Sequence, residues 1–270
     1  LRRDAEVGQA NMFDLFETEP AGSSPSGARR EPEAEAVMPL NEKLQHEKEL
    51  LGFYVSGHPM NPYRHFAQRV DTFTGEGYRT LPNGTPFRLC AVITGVTKKI
   101  SRRDNRPWAV LTVATTRDSY PLQAFTECYA AYQGLMETGN RVLIEGQVLR
   151  RRDDEVQLAV NQLSHLEPGL ARLIHSLTFF IGTNGHSGGF VDLLRSELET
   201  SGGEIPVRLG IEVETGQAAI ADLASSLQWH FDREQFLRLV RHPAVKGVDL
   251  AVAPIRLPDR RRSARRPKPS

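Results

Sequence analysis

The sequence predicts an α+β protein built around five short β-strands closed into a barrel, with a helical segment before it and a smaller mixed unit after it. Three observations predict this. Between Phe87 and Leu163, apolar and β-branched runs recur at short intervals, separated by charged or turn-like stretches. One helical stretch interrupts them, between the third run and the fourth. After Pro168, strand-like and helix-like runs alternate instead.

The elements follow in order. Asn41 to Val55 places Leu44, Leu51 and Tyr54 near helical spacing, and Gly57 and Pro59 close that helix with a turn. A second short helix starts at Pro62, a residue suited to a first helical position. Leu89 to Val96 is the first barrel strand, the hydrophilic stretch Lys98 to Arg106 its loop, and Trp108 to Val113 the second strand. Thr116 to Ser119 is turn-like and leads to a third strand over Tyr120 to Phe125. Cys128 to Met136 reads as a short helix. Arg141 to Val148 and Val156 to Leu163 are strands four and five, joined through a turn at Arg152-Asp153-Asp154. Five strands with one helix between the third and fourth is the order of an OB-fold. Gly95 and Gly146, inside strands, fit bulges where such a barrel bends.

Beyond Pro168, Leu173 to Ile181 reads as a strand, Phe190 to Leu198 as a helix and Ile205 to Val213 as a strand. Ala218 to Trp229 reads as a strand with irregular edges, Asp232 to Val240 as a helix, and Val245 to Val252 as a last strand. That βαββαβ order is the order of a split βαβ unit. The expected organisation is a short apolar island in residues 1–16 and a disordered linker over 17–39, rich in Pro, Gly, Ser and Glu. A helical linker over 40–80, the OB-fold over 85–167 and a C-terminal α+β domain over 168–255 follow. A disordered basic tail over 256–270, with six Arg and three Pro, ends the chain.

Composition excludes some functions. Among 270 residues, 34 Lys+Arg balance 33 Asp+Glu to a net charge of +1, so any nucleic-acid role must come from a local patch. No apolar run approaches a membrane span. The start, Leu1-Arg2-Arg3-Asp4, has no apolar stretch behind it and no initiator Met; a signal peptide is not expected, and a fragment of a longer chain is. Two cysteines, Cys90 and Cys128, form no metal-spaced cluster, and a reducing cytoplasm is the simplest location.

Catalytic groups do not converge, and neither a cofactor nor a metal is expected. The loop Gly182 to Gly189 lacks the Gly-Lys-Ser/Thr ending of a phosphate loop and reads as a connection. Asp153-Asp154-Glu155 reads as a solvated turn, and His58, in Ser56-Gly57-His58-Pro59, as part of a helix-ending turn. The stronger signal is basic. Lys98, Lys99, Arg102, Arg103 and Arg106 crowd between the first two strands, directly before Trp108. Arg150, Arg151 and Arg152 fall between strands four and five and are expected near the same edge. In an OB-fold these loops flank the oligonucleotide face, where cations track phosphates and aromatic rings stack on bases. A separate signal is Gln9-Ala10-Asn11-Met12-Phe13, whose flexible apolar anchors suit a pocket on a partner.

The run from Leu44 to Pro59, LQHEKELLGFYVSGHP, resembles the EKE-LGFYLSGHP signature of the bacterial replicative DNA polymerase III alpha subunit. Val92 to Val96, the Lys/Arg loop, Arg106-Pro107-Trp108-Ala109 and Ile144 to Val148 resemble the OB domain that follows that signature. Gly8 to Phe13 resembles the family's internal clamp-binding motif. The resemblance is strong from residue 8 to 165 and beyond that rests on element order. It implies a C-terminal accessory region without the polymerase carboxylates: an OB domain on single-stranded template, Gln9, Met12 and Phe13 on the sliding clamp, and a C-terminal domain on the clamp-loader tau subunit. A stand-alone OB-fold protein for single strands and a damage-tolerance paralogue of the same polymerase are the alternative readings.

Overall fold

The computed structural model describes residues 57–151, 155–182, 187–212 and 218–256. The expected helix over 41–55, the island with Gln9, Met12 and Phe13, the linker over 17–39 and the tail beyond Arg256 lie outside these residues.

The chain enters through a single turn of 3-10 helix, Asn61–Tyr63, with Pro62 in its first turn, and continues as α1, Arg64–Val70. Five strands follow: β1 Pro86–Ile100, β2 Pro107–Ala114, β3 Ser119–Ala124, β4 Arg141–Arg150 and β5 Val156–His165. They close in the order β1-β2-β3-β5-β4, with β4 returning to β1 and β3 lying parallel to β5. Helix α2, Thr126–Tyr132, sits between β3 and β4, where the sequence places it. Alternate residues fill the barrel: Phe87, Leu89, Ala91 and Ile93 from β1, Leu111 and Val113 from β2, Leu122 from β3, Val142 and Ile144 from β4, Leu158 and Val160 from β5. Each large aliphatic or aromatic side chain so buried contributes about 1.5–3 kcal/mol relative to exposure. The pairing shifts register at Gly95 and again at Gly146, the two glycines expected at bulges. Gly146 cannot carry a side chain, because a Cβ there would meet the Ala159 carbonyl oxygen at 2.2 Å and the Phe87 ring at 2.5 Å.

A second sheet follows helix α3, Leu166–Leu173. It comprises β6 Ile174–Ile181, β7 Ile205–Glu212, β8 Ala218–Asp222, the two-residue β9 Gln228–Trp229 and β10 Val245–Val252. Helix α4, Ser187–Ser201, joins β6 to β7, and α5, Arg233–Val240, precedes β10. Asp232 caps α5 by accepting the Gln235 amide at 3.0 Å, an arrangement worth about 1 kcal/mol.

The split βαβ expectation is corrected here. The strand order is β10-β6-β7-β8, and β6 and β7 are parallel direct neighbours, so no strand separates the two arms of the βαβ unit. β8 and β9 both pair with β7 on its other edge. Element order fixes which strands exist but not which one inserts between two others, and here the β7–β8 hairpin folds outward.

Barrel and second sheet share a core. The outer side of β1 and β4, through Cys90, Val92 and Leu143, packs with Phe66 of α1, Leu170 of α3 and the apolar face of the second sheet. This is why β1 reads as a continuous apolar run from Leu89: both of its faces are buried from Leu89 to Ile93. An aromatic group anchors the layer, with Phe66 and Phe236 ring centroids 4.5 Å apart and Phe179 5.6 Å from Phe190. Tyr63 ties three parts together. Its hydroxyl donates to Glu167 of α3 at 2.5 Å and accepts from Arg233 of α5 at 3.0 Å. Its ring lies 5.6 Å from the Arg141 guanidinium and 5.3 Å from that of Arg233. Burial, and the bond to Glu167, push its phenol above the ordinary range.

Candidate nucleic-acid interface

The basic hairpin carries five exposed cations, Lys98, Lys99, Arg102, Arg103 and Arg106. β1 runs further than the sequence implies, so Lys98 and Lys99 are strand residues paired with Ala109 and Trp108, and only Ser101 to Arg106 form the loop. Ladder hydrogen bonds do not need apolar side chains where the strand faces water, and so a hydrophilic run extends the hairpin. The Ser101 amide donates to the Arg106 carbonyl at 2.9 Å and the Asn105 amide to that of Ser101 at 2.9 Å. Asn105 takes the left-handed conformation, φ 54°, which asparagine tolerates. Arg102 and Arg103 project from this loop exposed, beside Ile100, which is 68% exposed. Arg106 pairs with Asp104 at 2.9 Å. Hydrogen bonds from Ser101 first, and from Arg106, hold the Asp104 carboxyl below its usual range.

Register determines which side chains share the outward face. Ala109, Leu111 and Val113 point into the barrel, so Trp108 and Val110 point out. Lys99, directly across from Trp108, places its Nζ 5.4 Å from the indole centroid. Phe125, just past β3, stacks on the same indole at 6.1 Å and 27°. Gln123 lies across from Val110, and its Oε1 is buried without a protein partner. The face therefore offers a half-buried Trp–Phe pair with a cation over the indole. Phe125 and Gln123 are not among the residues singled out from sequence. The signal for Gln123 was a polar residue at an outward position of an otherwise apolar strand; Phe125 was hidden as the expected end of that strand.

The second basic loop behaves differently. The Arg150 guanidinium donates to the Leu81 carbonyl at 3.0 Å and to the Arg79 carbonyl, while its amide donates to Asn83 Oδ1 at 2.9 Å. Arg150 thus fastens the segment before β1 to the end of β4. Arg151 is exposed, and its Nε donates to Gln157 at 3.1 Å. Arg152 lies outside the described residues, as do Asp153 and Asp154. The expectation that both loops share one edge is corrected by register. Leu122 pairs with Leu158 and Arg150 with Val156, which puts the β4–β5 hairpin beside the start of β3. Trp108 and Phe125 lie at the other end of β3, so the outward face separates the two loops.

The other candidates are structural. His58 Nδ1 accepts the Met60 amide at 3.2 Å in the turn before Asn61. Ser187 donates to the Gly182 carbonyl across the loop whose residues 183–186 are outside the described set. Cys90 and Cys128 are buried and unbridged. Among the described residues no cluster of three His, Cys, Asp or Glu side chains could hold a metal, and no helix is long and apolar enough to cross a membrane.

No protein-family model matches the chain. It is similar to the DNA polymerase III subunit alpha of Chlamydia muridarum, 29% identical over 172 residues, covering 61% of this chain and 13% of that protein. The Chlamydia pneumoniae subunit is 34% identical over 125 residues, covering 46% of this chain and 10% of that protein. The Escherichia coli K12 subunit is 24% identical over 211 residues, covering 75% of this chain and 17% of that protein. Among solved structures, the mitochondrial single-stranded DNA binding protein Rim1 of S. cerevisiae superposes with a TM-score of 0.27 at 14% identity, covering 31% of this chain and 97% of that one. At that score the barrel assignment rests on the strand pairing itself. The chain is thus similar in sequence to alpha subunits of bacterial DNA polymerase III, and spans 13% of the length of the Chlamydia muridarum protein.

Proposed function

We propose that this chain is a non-catalytic C-terminal part of a replicative DNA polymerase III alpha subunit, and that its barrel holds single-stranded template DNA in the cytoplasm. The observation that carries this reading is the β1–β2 hairpin, where Lys99 sits over Trp108, Phe125 stacks beneath the same face's edge, and Arg102 and Arg103 extend into solvent. Sequence similarity to the polymerase subunits supports it. The cations track phosphates, and the rings stack on bases of any identity, so binding has a steep salt dependence and little sequence preference.

Two tethers complete the proposal. Gln9, Met12 and Phe13 dock on a sliding clamp, and the second sheet docks on the clamp-loader tau subunit. A clamp tether raises the local concentration of enzyme at the primer end without any new catalytic contact. The test has two arms. Single-strand titration across salt concentrations should weaken and flatten when Lys98, Lys99, Arg102, Arg103 and Arg106 become Ala; an unchanged titration overturns the DNA assignment. Clamp binding should vanish in a Gln9/Met12/Phe13→Ala variant, and an equal affinity in both chains overturns the tether.

A further inference from the structure

A second cationic site stands apart from the hairpin. A cavity of ≈ 540 Å³ is bordered by β4, β5, α3 and the chain leaving β10, and none of its lining residues lies between Lys98 and Trp108. Pockets of roughly 300–1,000 Å³ take small ligands. Three guanidiniums, Arg88, Arg172 and Arg256, and the His175 imidazole line it, against one carboxylate, Glu145. That carboxylate is already engaged: Glu145 Oε1 receives Arg88 Nε at 2.7 Å and Nη2 at 2.5 Å. Arg172 and Arg256 therefore border a concave surface whose lining has no other carboxylate. Like charges around a low-dielectric cleft focus a positive potential into it.

The rim is built rather than incidental. Arg88 is 4% exposed, and its Nη1 donates to the Ala253 carbonyl at 2.9 Å. The Ala253 amide in turn donates to the Leu173 carbonyl at 2.9 Å. These bonds hold the segment carrying Arg256 against the end of α3, where Arg172 Nε donates to the Pro168 carbonyl at 3.2 Å. Tyr132 adds an aromatic wall, and Gln162 and Ser164 add polar side chains.

We propose that this cavity binds the phosphate group of a nucleotide. The cations recognise the phosphate, and the volume and Tyr132 suit the attached nucleoside. The phosphate belongs either to a free nucleotide or to a nucleotide within a strand, and the test separates these sources. The full chain is titrated calorimetrically with pyrophosphate, with thymidine monophosphate and with an oligothymidylate, alongside Arg172→Ala/Arg256→Ala. Both arginines are exposed, so thermal unfolding of the variant should match the parent. Thymidine monophosphate affinity should fall about tenfold or more in this variant, the order expected when charge-assisted bonds to phosphate are lost. It should be unchanged in the Lys98/Lys99/Arg102/Arg103/Arg106→Ala variant, so failure of the hairpin reading leaves this result standing. A parallel loss of oligothymidylate affinity identifies a strand phosphate; a loss confined to the monophosphate and pyrophosphate identifies a free nucleotide. No saturable binding of either small probe, or equal binding by parent and variant, overturns the proposal.

Discussion

Arg88 on β1 and Glu145 on β4 stand opposite one another in register and meet at 2.5 Å on the outside of the barrel, beneath the chain that leaves β10. Arg88 is 4% exposed, so Glu145 is the counter-charge that compensates its burial.

Glu145→Gln should therefore destabilise the protein by about 3 kcal/mol, because it leaves a buried guanidinium without its counter-charge. Urea unfolding reads this directly. The double change Arg88→Met/Glu145→Leu should recover most of the loss, since two apolar side chains carry no desolvation penalty. A double variant as weak as the single one would show that the pair acts through the Ala253 contact instead.

The hairpin cations should not be equivalent. Arg106 is held by Asp104, whereas Arg102 and Arg103 extend from the loop. Each phosphate contact removed should reduce the slope of log affinity against log salt by about 0.7 for a single strand. Arg102→Ala/Arg103→Ala should thus lower the slope more than Arg106→Ala. Arg150→Ala should leave it nearly unchanged and lower the unfolding midpoint, because its guanidinium is occupied by the carbonyls of Arg79 and Leu81.

Trp108→Ala should cost about 1–3 kcal/mol of single-strand affinity, the usual worth of a stacked base. Trp108→Phe should retain most of it, because a ring still faces Phe125. Equal affinity for all three chains, measured by anisotropy of a labelled strand, would remove the indole from the interface.

Asp71 carries a pH effect of defined sign. Burial raises its carboxyl to about 7, although the Cys90 amide donates to it at 2.7 Å. A folded-state value above the unfolded one means the native state holds the proton more tightly. The contribution is complete below the unfolded value, near 3.8, and is lost as pH rises to about 7. Across that window the slope is at most about 1.4 kcal/mol per pH unit, that of one proton. Asp71→Asn keeps an oxygen for the Cys90 amide and removes the titration. Its midpoint should exceed the parent's at pH 8 by more than at pH 5; parallel midpoints would exclude Asp71 as the group.

Gly146→Ala should be severe for its size. The added methyl meets the Ala159 carbonyl at 2.2 Å, a backbone atom that cannot move aside without opening β4 from β5. Overpacking costs about 1–3 kcal/mol where side chains can adjust, and more is expected against backbone.

Much of this was legible in the sequence for an identifiable reason. Inward positions of the barrel strands must be apolar, so Leu89, Leu111, Leu122, Ile144 and Leu158 announce them by alternation or by continuous runs. Asp232 announces α5 because a cap needs a short oxygen-bearing side chain. Helix α3 was missed because Pro168 and Gly169 look like breakers. Pro168 sits in the first turn, where no amide donor is needed, and Gly169 admits Ser164 and Leu143, which a Cβ would strike at 2.7 and 2.9 Å. At the candidate interface, charge located the hairpin, but no local pattern could show that Arg150 spends its donors on Arg79 and Leu81, or that Phe125 lies on Trp108. Both are long-range facts of register and packing.

The Arg88 link to Ala253 and the placement of Tyr63 between Arg141 and Arg233 also have a mechanical meaning. Tension applied to the end of β10 reaches the barrel wall through the shared core and the Arg88–Ala253 hydrogen bond, and tension on α5 reaches it through Phe66 and Tyr63. A strand drawn across the hairpin and a partner gripping the second sheet would pull against each other in series, through packed side chains rather than through slack chain. Load at one end would then be felt as a change of fit at the other.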